Sequence, residues 1–549
     1  EDCQQEAQAP STSALRTHLC PLPALAVHKQ GMAPAAPRRL RRRRAEGVPA
    51  SLWDLPELSR SLGALGAKQA HAGPLLREVA SRLLATASTA GARTGCWRGI
   101  EPGEVALPEE RLTALGLPRR LSALLQSTTP LCTRLVESRT SADGSTTKLL
   151  IELHDGHRVE AVVMRHEQRT TVCVSSQVGC QMGCAFCATG TLPVVGDLSS
   201  AEIIEQLLHA HCVEAAAGRS PVRNAVFMGM GEPLNNYDEV LSALRVMTDM
   251  GHLGQCALAP GRITLSTVGV APRMRRLAED APAVCLALSL HAPTQELREQ
   301  IVPSARHTPL DDLLAALDEH AARCRRPTPT SVAAMVEYVL LKDVNDSDSC
   351  ALQLGRLMGP RARDVMVNLI PYNPGAASPS APRAFQAPPH ETVERFQQIV
   401  AAHGVTTRVR REMGRDVAGA CGQLALVREG GSVGGGGSEG AVADVEDFVA
   451  WRRKQPRSAK AAVHAEALAL VAAAAAADGD SAATASGSTA SAPCRSRARD
   501  AALSGLSLPH PQPAAVLAAA ALAVALAAAG LCVGLRAWAG WRARLAAAR

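Results

Sequence analysis

Three cysteines with the spacing of a metal-binding loop lie in the first half of the chain. Cys180, Cys184 and Cys187 form a C-x3-C-x2-C pattern within GCQMGCAFCATG. Three thiolates at this spacing can bind three irons of a cubane [4Fe–4S] cluster, which leaves the fourth iron open. Structural zinc sites use four protein ligands, and the neighbouring sequence offers no obvious fourth one. The spacing therefore favours an iron–sulfur cluster over zinc or inert buried thiols.

The sequence around this loop alternates between short apolar runs and helical patterns. It predicts strands at 171–174, 225–228, 263–267, 284–290, 332–340 and 365–370, and helices at 201–212, 238–250, 273–279, 310–323, 349–357 and 391–403. Nearly continuous apolar strands are typical of a parallel sheet that is buried on both faces. Six βα units predict an α/β fold, either a partial (β/α)6 barrel or a doubly wound sheet. In both, ligands bind at the carboxyl ends of the strands.

The rest of the chain divides into regions of different composition. Asp143-Gly144 and Asp155-Gly156 lie next to β-like runs at 148–153 and 158–164 and predict hairpins. Ser51 is placed to cap a leucine-rich helix. The predicted organisation is a disordered or targeting segment (1–47), a helical accessory domain (48–128), a β-hairpin region (129–166), the α/β core (167–428), a low-complexity linker (429–513), a candidate transmembrane helix (514–535) and a basic tail (536–549).

Composition excludes several classes of protein. The chain has 549 residues, of which 47% are hydrophobic and 20% charged, so it is neither collagen-like nor wholly disordered. A chain of this size needs no disulfide staples, and its 16 cysteines indicate a reducing compartment with a metal or redox role for a subset. The net charge is +7, and a dense arginine run at 38–44 indicates a solvated tail or targeting segment more than a phosphate site.

A stretch near the end of the sequence has the length of a membrane span. Residues 514–535 are uncharged and are followed by arginine and tryptophan, as at a membrane interface. Half of this stretch is alanine, which contributes little to insertion, so an alanine-rich accessory helix or a non-functional extension is an equal alternative. The expected location is the cytoplasm or the matrix of a plastid or other organelle, with 514–535 as a candidate membrane tether.

Several further segments resemble the RlmN/Cfr family of radical S-adenosylmethionine (SAM) RNA adenosine methyltransferases, in matching order and spacing. They are TVCVSSQVGC (171–180), MGMGEPLNN (228–236), ITLSTVGV (263–270), LALSLHAP (286–293), EYVLLKDVND (337–346), NLIPYNP (368–374) and GACGQL (419–424). The likeness covers about residues 50–428. It implies a partial radical SAM barrel for the α/β core and an RNA-binding role for the helical accessory domain.

The resemblance implies roles for individual residues. The open iron of the cluster would bind SAM and cleave it to a 5′-deoxyadenosyl radical. Cys421 would carry a methyl group from a first SAM, and a second SAM would supply the radical, so that two are used per turnover. Cys173 would resolve the resulting protein–RNA crosslink by forming a disulfide. Glu160 would be the general base that removes the adenine proton.

The same resemblance assigns SAM contacts at or just beyond strand ends, where polar groups can bind a ribose, a carboxylate and an adenine. These residues are Gly231, Glu232, Ser266, Ser289, Leu290, His291 and Asn373. Phe186 is placed either against the adenine of SAM or in the core. Four arginines ahead of Cys421 are candidates for phosphate contacts. They are Arg408, Arg410, Arg411 and Arg415.

The predicted function is a radical SAM methyltransferase that makes 2-methyladenosine in large-subunit ribosomal RNA, with transfer RNA as a second candidate substrate. Its electron donor would be a protein such as flavodoxin or ferredoxin. Methylation of the same base at C8 is an alternative, because both reactions use the same cysteines. Two further hypotheses are a radical SAM enzyme with another substrate and an inactive membrane-tethered iron–sulfur protein that binds RNA.

Overall fold

A mixed sheet of ten strands organises the part of the chain that the computed structural model describes, residues 42, 50–94, 107–324, 332–374 and 385–424. Two small sheets, β1 with β2 and β7 with β8, are separate from it. In chain order, all strands of the described residues are β1 (Ala50–Ser51), β2 (Thr128–Thr129), β3 (Arg134–Thr140), β4 (Thr146–Glu152), β5 (Arg158–Arg165), β6 (Thr170–Cys173), β7 (Gln177–Val178), β8 (Gly196–Asp197), β9 (Val222–Phe227), β10 (Ile263–Thr267), β11 (Cys285–Ser289), β12 (Ala334–Leu340), β13 (Val365–Pro371) and β14 (Thr406–Val409). The α-helices are α1 (Leu55–Ala64), α2 (Ala72–Thr94), α3 (Glu109–Ala114), α4 (Leu121–Ser127), α5 (Ser200–Ala216), α6 (Tyr237–Met247), α7 (Met250–Leu253), α8 (Ala271–Asp280), α9 (Gln295–Ile301), α10 (Leu310–Arg323), α11 (Asp348–Met358) and α12 (His390–Ala402).

The order of the large sheet confirms the predicted α/β class. It runs β14-β13-β12-β11-β10-β9-β6-β5-β4-β3. The six predicted strands of the βα series, β6 and β9 to β13, are parallel, and β3, β4 and β5 continue the sheet as antiparallel hairpins. β14 adds a further parallel strand that the sequence did not predict, because TTRV is short and not continuously apolar. Among the described strands β3 and β14 are edges, so the barrel is partial.

Alternation of side chains gives the sheet two different faces. On the outer face Val172, Phe227 and Leu288 pack with the helices in the main hydrophobic core. The inner face is partly polar, and Glu337 and Asn368 are almost fully buried there. Burial on both faces is as predicted, but the polar groups of the inner face give this side of the sheet a different chemistry from the core.

The first helix begins at a different cap from the predicted one. The side chain of Asp54 accepts a hydrogen bond from the Glu57 N–H at the start of α1. Ser51 instead lies in β1, three residues too early, and its hydroxyl donates to the Glu205 carboxylate at 2.6 Å. Ser51 therefore joins the helical region to α5, and the prediction that it caps α1 was wrong.

The termini contain most of the residues for which no structure is described. Arg42 belongs to the arginine run that was predicted to be a solvated tail or targeting segment. Its side chain is instead buried and pairs with Asp155 at 3.0 Å and with Glu202.

None of the helices in the described ranges is long and apolar enough to cross a membrane. The candidate span at 514–535 lies outside the described residues, and the membrane tether and the compartment stay predictions.

We predict that Gly91→Ala destabilises the chain whereas Gly63→Ala does not. A Cβ at Gly91, on α2, would come 2.0 Å from the Ala216 carbonyl oxygen at the end of α5. The helices would have to separate, at a cost of about 1–3 kcal/mol. A Cβ at Gly63, on the exposed side of α1, meets open space and should add about 0.5–1 kcal/mol of stability. Chemical denaturation measures both, and equal midpoints would contradict this helix packing.

Candidate active site

The cysteine loop (residues 179–195) packs against an apolar cluster at the carboxyl ends of the parallel strands. Cys184 is buried, whereas Cys180 and Cys187 are half-buried. They pack in one cluster with apolar residues from the turn after β11 and from α9, including Ile301. The Ala185 N–H donates to the Ile301 carbonyl at 2.9 Å, which joins the loop to α9. The loop is therefore packed against the barrel and does not extend freely from the surface.

The pleat of the sheet places Glu160 and Cys173 on one face. Cys173 pairs with Val162 across β5 and β6, and Glu160 precedes Val162 by two residues. Residues two apart in a strand point to the same side, so Glu160 is a diagonal neighbour of Cys173. Glu160 is 2% exposed, and its carboxylate pairs with Lys148 Nζ at 3.0 Å. The predicted base therefore lies on the inner face of the sheet.

The segment that carries Cys421 (residues 410–424) lies over this same face. A Cβ at Gly419 would lie 3.5 Å from a methyl group of Val162. Three residues later, the Gly422 carbonyl accepts a hydrogen bond from Ala188 of the cysteine loop at 2.8 Å. Cys421 thus lies in a segment that contacts both the hairpin face and the cysteine loop.

The electrostatics of the thiols confirm that Cys421 is close to both. The pKa of Cys173 rises to about 12, mainly because the thiol is buried and in part because Cys421 is near, while Arg410 acts in the opposite direction. Burial also raises the pKa of Cys187, and Cys421 adds to that rise. Cys173 and Cys421 are both free thiols in the structure, so the disulfide implied by the resemblance is not formed.

The turn after β9 is tight and internally bonded. Gly231 has a φ of +99°, and a Cβ there would come 2.6 Å from Gln177, so only glycine fits. The Glu232 carboxylate accepts from the N–H groups of Leu234 at 3.0 Å and Val268 at 2.9 Å. Burial raises the pKa of Glu232 to about 6, although these hydrogen bonds oppose the rise. Glu232 therefore ties the turn after β9 to the turn after β10.

The other predicted SAM contacts lie along the edge of the sheet where the parallel strands end, which we call the rim. The hydroxyl oxygens of Ser266 and Ser289 are 3.2 Å apart at the ends of β10 and β11. Leu290 is buried, and its N–H donates to the Glu337 carbonyl at 3.0 Å. Asn373, just after β13, donates to the Cys421 carbonyl at 3.5 Å. The rim thus connects directly to the segment that carries Cys421.

His291 is held in one orientation by its surroundings. It has a left-handed φ of 62°, and its Nδ1 lies 3.1 Å from the Val339 N–H, from which it accepts. Burial lowers the pKa of His291 to about 3, so the ring is neutral near pH 7. A neutral ring that accepts at Nδ1 carries its proton on Nε2 and is a donor there. Phe186 packs edge-on against it, with ring centroids 4.8 Å apart, and so reaches the rim from the cysteine loop.

Comparisons with known proteins agree with this geometry. The Radical SAM superfamily matches residues 174–348. The probable dual-specificity RNA methyltransferase RlmN of Symbiobacterium thermophilum is 43% identical over 311 residues, which are 56% of this chain and 79% of that protein. The dual-specificity RNA methyltransferase RlmN of Syntrophobacter fumaroxidans is 43% identical over 290 residues, which are 53% and 79%. The chain belongs to the RlmN family.

Two further similarities fit this RlmN-family assignment. The crystal structure of a radical SAM methyltransferase from Sphaerobacter thermophilus is 36% identical, with a TM-score of 0.56, and the match covers 68% of this chain and 99% of that one. The ribosomal RNA large subunit methyltransferase N of Nitrosopumilus maritimus is 40% identical over 291 residues, 52% of this chain and 78% of that protein. The predicted family and enzyme class are confirmed, and the chain is a radical SAM methyltransferase.

Radical SAM enzymes imply a [4Fe–4S] cluster and SAM, and the cysteine loop of this RlmN-family chain fits the cluster. Burial raises the pKa of Cys184, and the proximity of Cys187 and Cys180 adds to it. In the described parts of the chain, no three His, Cys, Asp or Glu side chains converge on a single metal ion. A cubane does not need such convergence, because each thiolate binds a different iron. Three soft thiolates in apolar surroundings therefore suit a cluster better than zinc.

The four arginines predicted to contact phosphates do not form one surface. Arg408 is 5% exposed and lies opposite Asn368 on the inner face of the sheet. Arg410 is half-buried and contacts the Met228 sulfur at 3.5 Å. Arg411 is exposed, and Arg415 is half-exposed beside Glu412. The prediction was wrong for Arg408, because strand alternation turns it into the barrel.

Two charged residues near the site were not predicted. Lys148 reaches Glu160 because the hairpin register places it opposite Val162, and the sequence does not reveal that register. Arg298, on α9, is 1% exposed and precedes Ile301 by three residues. A charge at a position that shares the buried stripe of a helix is unusual, and this pattern could have identified Arg298.

We predict that His291→Asn folds almost as well as the wild type and that His291→Ala does not. Asparagine tolerates the left-handed conformation, and its side-chain oxygen can accept the Val339 N–H in place of Nδ1. Alanine offers no acceptor, so a buried donor is left unpaired at a cost of about 1–3 kcal/mol. Denaturation midpoints of the two variants measure this, and equal stabilities would show that the hydrogen bond does not hold the turn.

Proposed function

We propose that this chain methylates an adenosine of large-subunit ribosomal RNA at C2, giving 2-methyladenosine, and that transfer RNA is a second substrate. The observation that carries the proposal is the position of Cys421 between the cysteine loop, which donates to the Gly422 carbonyl, and the sheet face of Cys173, where Gly419 contacts Val162. A carrier thiol must meet the cofactor on one side and a resolving thiol on the other. The names of the relatives, which describe RNA and ribosomal RNA methyltransferases, support RNA as the substrate.

The cysteine loop and the rim would hold the cofactors. The cluster ligands are Cys180, Cys184 and Cys187, and the SAM contacts are Gly231, Glu232, Ser266, Ser289, Leu290, His291 and Asn373. When bound at these cysteines and reduced by a donor such as flavodoxin or ferredoxin, the cluster would supply the electron that converts SAM into a hydrogen-abstracting radical. His291 serves as a neutral Nε2–H donor, because its Nδ1 already accepts from the backbone.

Cys421 accepts the methyl group in the first half of the reaction. Its thiolate attacks the methyl carbon of one SAM, the S–CH3 bond forms, and S-adenosylhomocysteine leaves. The hydrogen bonds from Asn373 to the Cys421 carbonyl and from Ala188 to the Gly422 carbonyl hold this carrier at the rim. A second SAM is then consumed to activate the S-methyl group, which accounts for two SAM per turnover.

Glu160 and Cys173 complete the transfer. Once the methylene carbon on Cys421 is bonded to adenine C2, Glu160 removes the C2 proton, and the unpaired electron left on the base would return to the oxidised cluster. The Cys173 thiolate then attacks the Cys421 sulfur, a disulfide forms and the S–CH2 bond breaks, and the released carbon takes a proton to become the methyl group. A thiol reductant must reduce the disulfide before the next turnover. Their common face on the sheet supports this division of roles.

The proposed product is tested by nucleoside mass spectrometry. The cluster is rebuilt anaerobically in the full chain, which then receives protein-free large-subunit ribosomal RNA, SAM and a reductant. Digestion should yield 2-methyladenosine, and a parallel reaction with transfer RNA tests the second substrate. A peak of 8-methyladenosine would assign C8 chemistry instead. Formation of 5′-deoxyadenosine with no methylated adenosine would retain the radical chemistry and reject the RNA substrate.

We predict different failures for the two reactive cysteines. Cys421→Ala should abolish methylation while iron content stays at the wild-type level, because the cluster ligands are untouched. Cys173→Ala should accumulate a covalent protein–RNA adduct, because no thiol can release it. Cys350→Ala, on α11, is the matched control and should retain activity. Gel shifts under denaturing conditions and mass spectrometry measure these outcomes, and normal turnover of Cys173→Ala would reject its role.

A further inference from the structure

Arg298 is a buried cation with one hydrogen-bonding nitrogen left unused. Its side chain is 1% exposed. Nε donates to the Leu290 carbonyl at 3.1 Å, and Nη2 donates to the Val268 carbonyl. Nη1 is buried and meets no hydrogen-bond acceptor among the described residues. Two nitrogens of the guanidinium thus hold the turns after β10 and β11 in place, while the third has no acceptor in the part of the chain that the structure describes.

The unused nitrogen belongs to a side chain of α9, the helix that contacts the cysteine loop. Arg298 lies one helical turn before Ile301, whose carbonyl accepts the N–H of Ala185, the residue after Cys184. The Arg298 charge acts to lower the pKa of Cys184, against the larger effect of burial. It also adds to the lowering of the His291 pKa that burial causes. The guanidinium is therefore within electrostatic reach of a cluster ligand and of a SAM contact.

A buried guanidinium needs an anion nearby. Taking such a charge out of water costs several kcal/mol unless it is compensated. The nearby Glu232 carboxylate is already engaged by the N–H groups of Leu234 and Val268. A [4Fe–4S] centre on three thiolates is itself anionic, and reduction adds a further negative charge. This centre is the compensating group that the cysteine loop would provide.

We propose that Arg298 donates its Nη1–H to the thiolate–cluster centre at Cys184 and raises the reduction potential of the cluster. Cluster potentials depend on the net charge and on hydrogen bonds to the sulfurs, and Arg298 changes both. The inference rests on the proposed assignment of Cys180, Cys184 and Cys187 as cluster ligands. Arg298 acts through the cluster and is a positioning residue. The carboxylate of SAM is the other anion that this nitrogen could bind, so the potential is measured without SAM.

The test compares three variants of the full chain with rebuilt clusters. Arg298→Met removes the charge and the donor, Arg298→Lys keeps the charge without the planar fork, and Arg306→Met is the matched control. Arg306 lies in the turn after α9 and is exposed, so its charge is screened by water. Iron content and the absorption spectrum establish that each cluster is intact. Redox titration followed by electron paramagnetic resonance then gives the midpoint potential.

The expected result is a lower midpoint for Arg298→Met, equivalent to a tenfold or greater shift of the one-electron equilibrium, which is about 59 mV or more. Arg298→Lys should fall by less, and Arg306→Met should match the wild type. An intact cluster with an unchanged midpoint in Arg298→Met overturns the inference, and weaker SAM binding in that variant would assign Nη1 to the SAM carboxylate instead.

If Arg298→Met does not fold, Arg298→Lys tests the inference in its place. Lysine lacks the planar guanidinium, so the midpoint potential must still fall, and an unchanged value overturns the inference. A wild-type chain that binds no iron would reject the cluster assignment and this inference with it. A wild-type chain with an intact cluster and insensitive variants would reject the inference alone.

Discussion

The candidate active site depends on the contact between residues 410–424, the segment that carries Cys421, and the cysteine loop. The Ala188 N–H donates to the Gly422 carbonyl at 2.8 Å, and the Thr189 hydroxyl donates to the Leu424 carbonyl at 2.6 Å. Each hydrogen bond contributes modestly to stability, but a buried group left unpaired would cost more. These bonds place Cys421 beside a loop that is remote in sequence. Without them Cys421 would not be held between the cysteine loop and Cys173.

The two faces of the sheet differ in polarity, and residues 410–424 lie over the polar inner face. The outer face is apolar, packs with the helices and stabilises the fold. The inner face can therefore hold groups that would destabilise an ordinary core, such as the Glu160–Lys148 ion pair and the bonded amide and carboxylate of Asn368 and Glu337. Each of these polar groups has a partner for at least one of its atoms, which limits the cost of burying it.

Burial in this interior disfavours the charged thiolate form of the cysteines. Burial raises the pKa of Cys173, Cys180 and Cys184, although the thiolate is the form that reacts and binds metal. Positive charge must compensate wherever a thiolate is used. Iron would supply it at the cysteine loop, and the guanidinium groups of Arg298 and Arg410 lie where they act in the same direction. Burial thus favours the protonated form of these thiols, and the two guanidinium groups oppose it.

Much of this protein was predictable from the sequence because its signals are local. The C-x3-C-x2-C spacing, the apolar runs of the six parallel strands and the motif that contains Cys421 each lie within a few neighbouring residues. Tertiary structure alone decided the proximity of Cys421 to Cys173, the pairing of Lys148 with Glu160, the burial of Arg408 and the orphaned nitrogen of Arg298. Strand register and the direction of a side chain on a pleated sheet are set by packing between distant segments, and a local pattern carries no record of that packing.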